Sequence, residues 1–142
     1  MNEPTKTINE AGTVRYKLGN KLHRTDGPAI EYTNGSKEWY VNDERHRTDG
    51  PAIEWANGYK EWYVNGERHR TDGPAIEYAD GTKAWYINGF LHRTDGPATE
   101  WPNGTKAWWI NNECITMGNY QDFMKQYSDL INQFLAYWVL NG

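Results

Sequence analysis

One cysteine, Cys114, is present in 142 residues, too few for any internal disulfide. A reducing, cytoplasmic compartment is the expected address. Long apolar runs are missing as well: Met1 to Glu10 is polar, and the longest unbroken apolar stretch is the seven residues from Phe134 to Leu140. A membrane span needs about 20 apolar residues and a secretory signal about 7–15 after a basic start, so neither is expected. Positive charge is not in excess, with 15 Lys and Arg against 19 Asp and Glu and a formal charge of −4. No nucleic-acid partner is expected, because phosphates call for a basic surface.

Aliphatic side chains are scarce too, and the mean hydropathy is −0.96. Against this stand 8 Trp and 10 Tyr, so a core has to be built largely from rings. The length allows one domain.

The feature that organises the chain is a repeat. His-Arg-Thr-Asp-Gly-Pro-Ala begins at His23, His46, His69 and His92, a constant interval of 23 residues. A short fixed period implies supersecondary units that bury surface only by stacking on their neighbours. Residues 12–114 carry the array as a half unit and four full units, with Gly12 in register with Gly35 and Tyr16 with Trp39. Residues 1–11 form a polar leading segment. After Cys114 the register fails: Ile115 stands where His is expected, and Met117-Gly118 breaks the pattern.

Within a unit, Pro28 to Tyr32 and Lys37 to Val41 are rich in β-branched and aromatic residues and flank a turn with Asn34-Gly35. If Asn-Gly forms the centre of a type I′ turn, Glu31 opposes Glu38 and Ile30 opposes Trp39. One face then carries Ile30, Tyr32, Trp39 and Val41, taken as buried, and the other Ala29, Glu31, Glu38 and Tyr40. The connector Asn42 to Gly50 is longer than a turn needs and is expected to fold back over the Trp face. In it, Asp49-Gly50-Pro51 reads as a tight turn, with Asp bonding local backbone amides.

Beyond the repeats the period changes. Tyr120, Phe123, Met124, Tyr127, Leu130, Ile131, Phe134, Leu135 and Trp138 follow helical spacing, which predicts one amphipathic helix from about Asn119 to Leu140. Residues 115–142 are expected to pack on the array as an end cap, since repeat proteins must hide their last interface. The bed expected for it is the second face of units three and four, where Glu38 and Glu61 give way to Ala84 and Ala107.

Several residue types invite a chemical reading. His23, His46, His69 and His92 with Asp26, Asp49, Asp72 and Asp95 could carry protons or ligate a metal. Their fourfold duplication speaks for a repeated structural turn instead, in which Arg24, Arg47, Arg70 and Arg93 pair with the Asp, because a catalytic centre is asymmetric. Glu31 opposite Glu38, and Glu54 opposite Glu61, would set carboxylates about 5 Å apart, the spacing of a retaining glycosidase. Answering charges from Arg24 and Arg47 are the competing expectation. Cys114 occupies the place of Arg45, Arg68 and Leu91 and is read as a packing residue.

Asn65-Gly66-Glu67-Arg68-His69 followed by Tyr78-Ala79-Asp80-Gly81-Thr82-Lys83, at a 23-residue period, resembles the MORN repeat. Here His69-Arg70-Thr71-Asp72-Gly73-Pro74 replaces the family's His-Gly-x-Gly, a variant that looks like repeat proteins of bacteriophages and large viruses. The resemblance implies stacked hairpins in one long antiparallel sheet, a scaffold for protein assembly, and contact with lipid headgroups in some members. For a viral chain it would imply the host cytoplasm.

The expected fold is mostly β: a repeat array of antiparallel hairpins in a single extended, twisted sheet, with a C-terminal amphipathic capping helix. The expected function is non-enzymatic, without cofactor or metal: a protein-binding module that sequesters or inhibits a partner, with a lipid-headgroup scaffold and a carbohydrate-binding or hydrolysing protein as alternatives. The partner surface is placed on Glu31, Glu38, Tyr40, Glu54, Glu61 and Tyr63, where carboxylates around Tyr would suit a basic protein. A homodimer is compatible with this reading, and a membrane is not expected because lipid headgroups call for a basic patch.

Overall fold

A computed structural model describes residues 2–142. It is mostly β, with repeated antiparallel hairpins joined into one long sheet and two short C-terminal helices. Strand Thr5–Ile8 pairs with Val14–Leu18, which pairs with Ile30–Glu31, and each later unit adds two strands in sequence order up to Lys106–Ala107. Equivalent atoms of neighbouring units are therefore two strand spacings apart, about 9.6 Å. The polar leading segment thus supplies the first strand, and it covers the Val14–Leu18 edge.

The hairpin register differs by one residue from the sequence expectation. Glu31 opposes Lys37 and Ile30 opposes Glu38. The cause lies in the turn: the Tyr32 N–H bonds the Ser36 carbonyl, the Gly35 N–H bonds the Tyr32 carbonyl, and Gly35 alone has positive φ, at +90°. This is a type I turn closed by a glycine bulge, one residue longer than a type I′ turn. A slip of one exchanges the faces. Ile30 and Tyr32 share a face with Glu38 and Tyr40, while Trp39 and Val41 lie on the other with Glu31, so the face expected to be buried does not exist as a unit. The type I′ turns sit elsewhere, at Asn42-Asp43, Asn65-Gly66, Asn88-Gly89 and Asn111-Asn112, where both residues have positive φ.

The register lines up two rows across the sheet. On the Trp side, Glu31, Lys37, Glu54, Lys60, Glu77, Lys83, Glu100 and Lys106 alternate in charge from strand to strand. Opposite charges directly across a ladder stabilise it, so the expected Glu–Glu clash is absent. On the Tyr side, the row runs Ile30, Glu38, Ile53, Glu61, Ile76, Ala84, Thr99, and its Ile and Glu members are buried.

After Trp39 the chain leaves the sheet and forms a two-stranded ribbon, Tyr40–Val41 with Glu44–Arg45, and the later units repeat it. Ribbons of neighbouring units are tied by backbone bonds, among them Arg47 N–H to the Tyr63 carbonyl at 3.0 Å and Gly66 N–H to the Arg45 carbonyl at 2.9 Å.

The helical segment is broken in two: α1, Tyr120–Met124, and α2, Ser128–Asn141. Tyr127, at φ −128° and ψ 46°, leaves helical geometry, and α2 starts afresh at Ser128. That break lets Leu130, Ile131 and Phe134 bury against Trp108, Ile110 and Ile115. The bed is thus the Trp side of the last unit, not the Tyr side of units three and four. The reason is a vacancy in the repeat. Trp39, Trp62 and Trp85 each carry an Arg from eight residues on, whereas that position after Trp108 is Thr116. Phe134 and Tyr137 cover the Trp108 ring instead, at 5.7 and 5.0 Å between centroids. The Tyr137 hydroxyl also accepts the edge-strand N–H of Lys106 at 3.1 Å.

Candidate functional site

Each heptad performs the same structural tasks. Arg47 lays its guanidinium on the Trp39 ring, 3.9 Å from the centroid, as Arg70 does on Trp62, Arg93 on Trp85 and, at 4.0 Å, Arg24 on Tyr16. Its Nε donates to Asp49 at 2.8 Å, and its Nη1 to the Pro51 carbonyl at 3.0 Å and to Glu54 at 3.1 Å. Arg24 answers Asp26 and Glu31 in the same way, and Arg93 answers Asp95 and Glu100. The heptad Asp therefore chiefly holds an arginine, with a backbone amide as the lesser partner, and hydrogen bonding to that arginine keeps Asp26, Asp49 and Asp72 below the usual carboxylate range. Glycine follows because a Cβ at Gly50 would stand 2.8 Å from the Arg47 Cζ.

The histidines link units. His23, His46, His69 and His92 each accept, through Nδ1, the backbone N–H of Asn42, Asn65, Asn88 and Asn111 at 3.0–3.2 Å. The acceptor role requires the neutral ring. Burial holds the His92 pKa below its ordinary value. Among the described residues, no three His, Cys, Asp or Glu side chains converge as a metal site would need.

On the Tyr side, arginines interleave with rings. Arg45 lies 5.7 and 5.6 Å from the Tyr40 and Tyr63 centroids, and Arg68 lies 5.8 and 5.5 Å from those of Tyr63 and Tyr86. Glu61 takes Arg68 Nε at 2.8 Å and the Tyr59 hydroxyl. Burial alone would raise Glu61, but the bonds from Tyr59 and Arg68 outweigh it and hold the carboxyl below its ordinary value. Glu38 accepts the Tyr40 hydroxyl at 2.8 Å and the Tyr32 hydroxyl at 3.3 Å. Burial, then the Glu38 bond, pushes Tyr40 up to about 12. The later units lose both partners together, with Ala84 and Leu91, then Ala107 and Cys114, in these places. Carboxylate and arginine are absent together there, and the helix packs elsewhere, on Trp108, Ile110 and Ile115. Burial pushes the Cys114 thiol pKa up.

The six residues expected to form a partner surface do not form one. Glu31 and Glu54 lie on the Trp side under Arg24 and Arg47, while Glu38, Tyr40, Glu61 and Tyr63 lie on the Tyr side, where all but Tyr40 are buried. The same split separates the carboxylate pairs that could have resembled a glycosidase. Among the exposed large side chains, which also include Ile8, Phe90, Val139 and Leu140, one set recurs with the repeat, just before each Asn-Gly or Asp-Gly turn: Trp55 at 47%, Tyr78 at 43% and Trp101 at 41%, with Tyr32 as the half-buried first member. Sequence reasoning missed this row. Its 23-residue recurrence was visible, but the register that points it outward was not.

No protein-family model matches the chain, and comparison with curated proteins gives no match. Among the described residues, no helix is long and apolar enough to cross a membrane.

Proposed function

We propose that this chain is a MORN-like, non-enzymatic binding module that captures a protein along its turn edge. The carrying observation is the row Tyr32, Trp55, Tyr78 and Trp101, one ring per unit, three of them over 40% exposed. Large rings with polar tips contribute strongly to interfaces, and a row of them offers several contacts at a fixed interval. The His, Arg and Asp of every heptad are engaged with neighbouring groups, which supports a scaffold role for them. Sequestration or inhibition of the captured protein is the use that suits a small module without reactive groups of its own.

The test is capture from a host lysate by the full chain and by a Trp55→Ala/Trp101→Ala double variant of unchanged melting temperature. Proteins retained by the first and lost by the second support the reading, and identical captured sets refute it. One observation favours a second reading: rings about 9.6 Å apart can also serve as platforms for alternate sugars of an extended glycan. Retention on immobilised polysaccharide, abolished by the same double variant, would select it.

A further inference from the structure

The turn edge is not the same in every unit. The place of Ser36 is taken by Tyr59, Thr82 and Thr105 in later units. The Tyr59 ring sits between Trp55 and Tyr78, at 4.8 and 5.4 Å between centroids, and its hydroxyl bonds Glu61, so the space there is filled. Ser36 leaves the equivalent space open in the first unit: a depression of about 410 Å³ lined by Tyr32, Asn34, Ser36, Glu38, Trp55 and Asn57.

Glu38 is the charged group in this lining. It is 8% exposed, and its two hydrogen bonds come from neutral tyrosine hydroxyls. The nearest cation, Arg45, stands 3.9 Å away, where the equivalent pair Glu61–Arg68 closes to 2.8 Å. Arg45 sits between the Tyr40 and Tyr63 rings with its Nε buried and unpaired. The Glu38 charge is thus less completely answered than that of Glu61. In units three and four, Ala84 and Ala107 leave no charge at all. A cation entering the depression would meet a carboxylate at its floor and the rings of Trp55 and Tyr32 at its sides, which favours an ammonium or guanidinium by ion pairing and by cation–π attraction.

We propose that the Tyr32–Glu38–Trp55 depression is the anchor pocket of this surface and takes one lysine or arginine side chain of a basic protein partner. The proposal rests on the reading that the turn edge binds protein. It also separates unit one from the rest of the array, so a partner would dock in one register rather than slide along equivalent units.

The test titrates the full chain with an N-acetylated, C-amidated Gly-Gly-Lys-Gly-Gly peptide, its arginine analogue, its neutral norleucine analogue, and cellohexaose, following the Trp55 indole N–H by NMR. The two cationic peptides should shift it saturably and norleucine should not. Glu38→Gln, which keeps an acceptor, should weaken binding about tenfold or more. Ser36→Tyr, copying Tyr59, should abolish it, and this variant decides if Glu38→Gln melts early. Gln126→Ala, at an exposed position between the two C-terminal helices, should change nothing. Equal binding of norleucine, indifference to both unit-one variants, occupation by cellohexaose in place of the cations, or no binding would each overturn the proposal. Lysate capture that depends on Trp55 and Trp101 while the lysine peptide fails to bind would remove the anchor alone and leave the binding module standing.

Discussion

Replacing Arg70 by Ala removes the most heavily used side chain of a central unit. Its guanidinium lies 3.9 Å from the Trp62 centroid, donates to the Pro74 carbonyl at 3.0 Å and to Asp72 at 2.9 Å, and approaches Glu77 at 3.6 Å. The Asp72 pair adds little, since that carboxylate is 84% exposed and solvated in either state. The stack on a half-buried indole is worth about 1–2 kcal/mol. The charged hydrogen bond to Pro74 adds about 1.5–3 kcal/mol. These terms share one group and do not add in full, so a loss of about 2–4 kcal/mol is expected. Arg70→Lys keeps the charge but neither the planar stack nor simultaneous donation from two nitrogens, and should recover less than half of the loss.

Urea unfolding, followed by circular dichroism and by Trp fluorescence, measures both. The two signals should separate in Arg70→Ala, because a weakened interface in a linear array lets its two sides unfold apart. A loss within about 0.5 kcal/mol of wild type, the range of ordinary surface changes, or full rescue by Lys, would refute the view that the Arg–Trp stack joins the units.

Asp72→Ala should lower the melting temperature far less than Arg70→Ala, and equal losses would show that the carboxylate does more than steady the arginine. Gly73→Ala puts a Cβ 2.8 Å from the Arg70 Cζ and should displace the guanidinium, read as a lowered melting temperature that vanishes in an Arg70→Ala background. For His92, burial depresses the folded pKa, so folding favours the neutral ring. Its contribution is complete above the unfolded value of 6.5 and is lost as pH falls below it. The melting temperature should therefore drop between about pH 7 and pH 5.5, with a shallower drop in His92→Asn. Truncation after Gly118 uncovers Trp108, Ile110 and Ile115 and should cause self-association and early melting, whereas a monomeric truncate of unchanged stability would show that α2 is not a cap.

Much of the fold was legible because a repeat reports its own architecture. The interval between heptads sets the unit, the alternation sets the strands, and the helical period after Met117 separates the cap. What was not legible hinged on Gly35. Asn-Gly is compatible with a two-residue type I′ turn and with the last two positions of a type I turn plus bulge, and the two differ by one residue of register. That residue decides whether Glu38 faces Glu31 or Ile30, and so whether the chain displays paired carboxylates or buries one of them. The heptad roles were partly legible: an Arg answering Glu31 and Glu54 was expected, while its seat on the preceding ring was not, since stacking eight residues apart leaves no periodic signal of its own.

A better signal lay in the differences between units. Glu at 38 and 61 accompanies Arg at 45 and 68, whereas Ala at 84 and 107 accompanies Leu91 and Cys114. Positions seven apart that change together within one chain are positions in contact, and here the contact is the Glu61–Arg68 ion pair and its looser counterpart, Glu38–Arg45. The same comparison isolates the pairing of Ser36 with Glu38, and Thr116. Where tyrosine gives way to serine beside a buried carboxylate, a pocket opens. Where arginine gives way to threonine beside a tryptophan, the ring is left for the helix. In a protein of near-identical units, the positions that depart from the repeat mark where the array stops serving only itself.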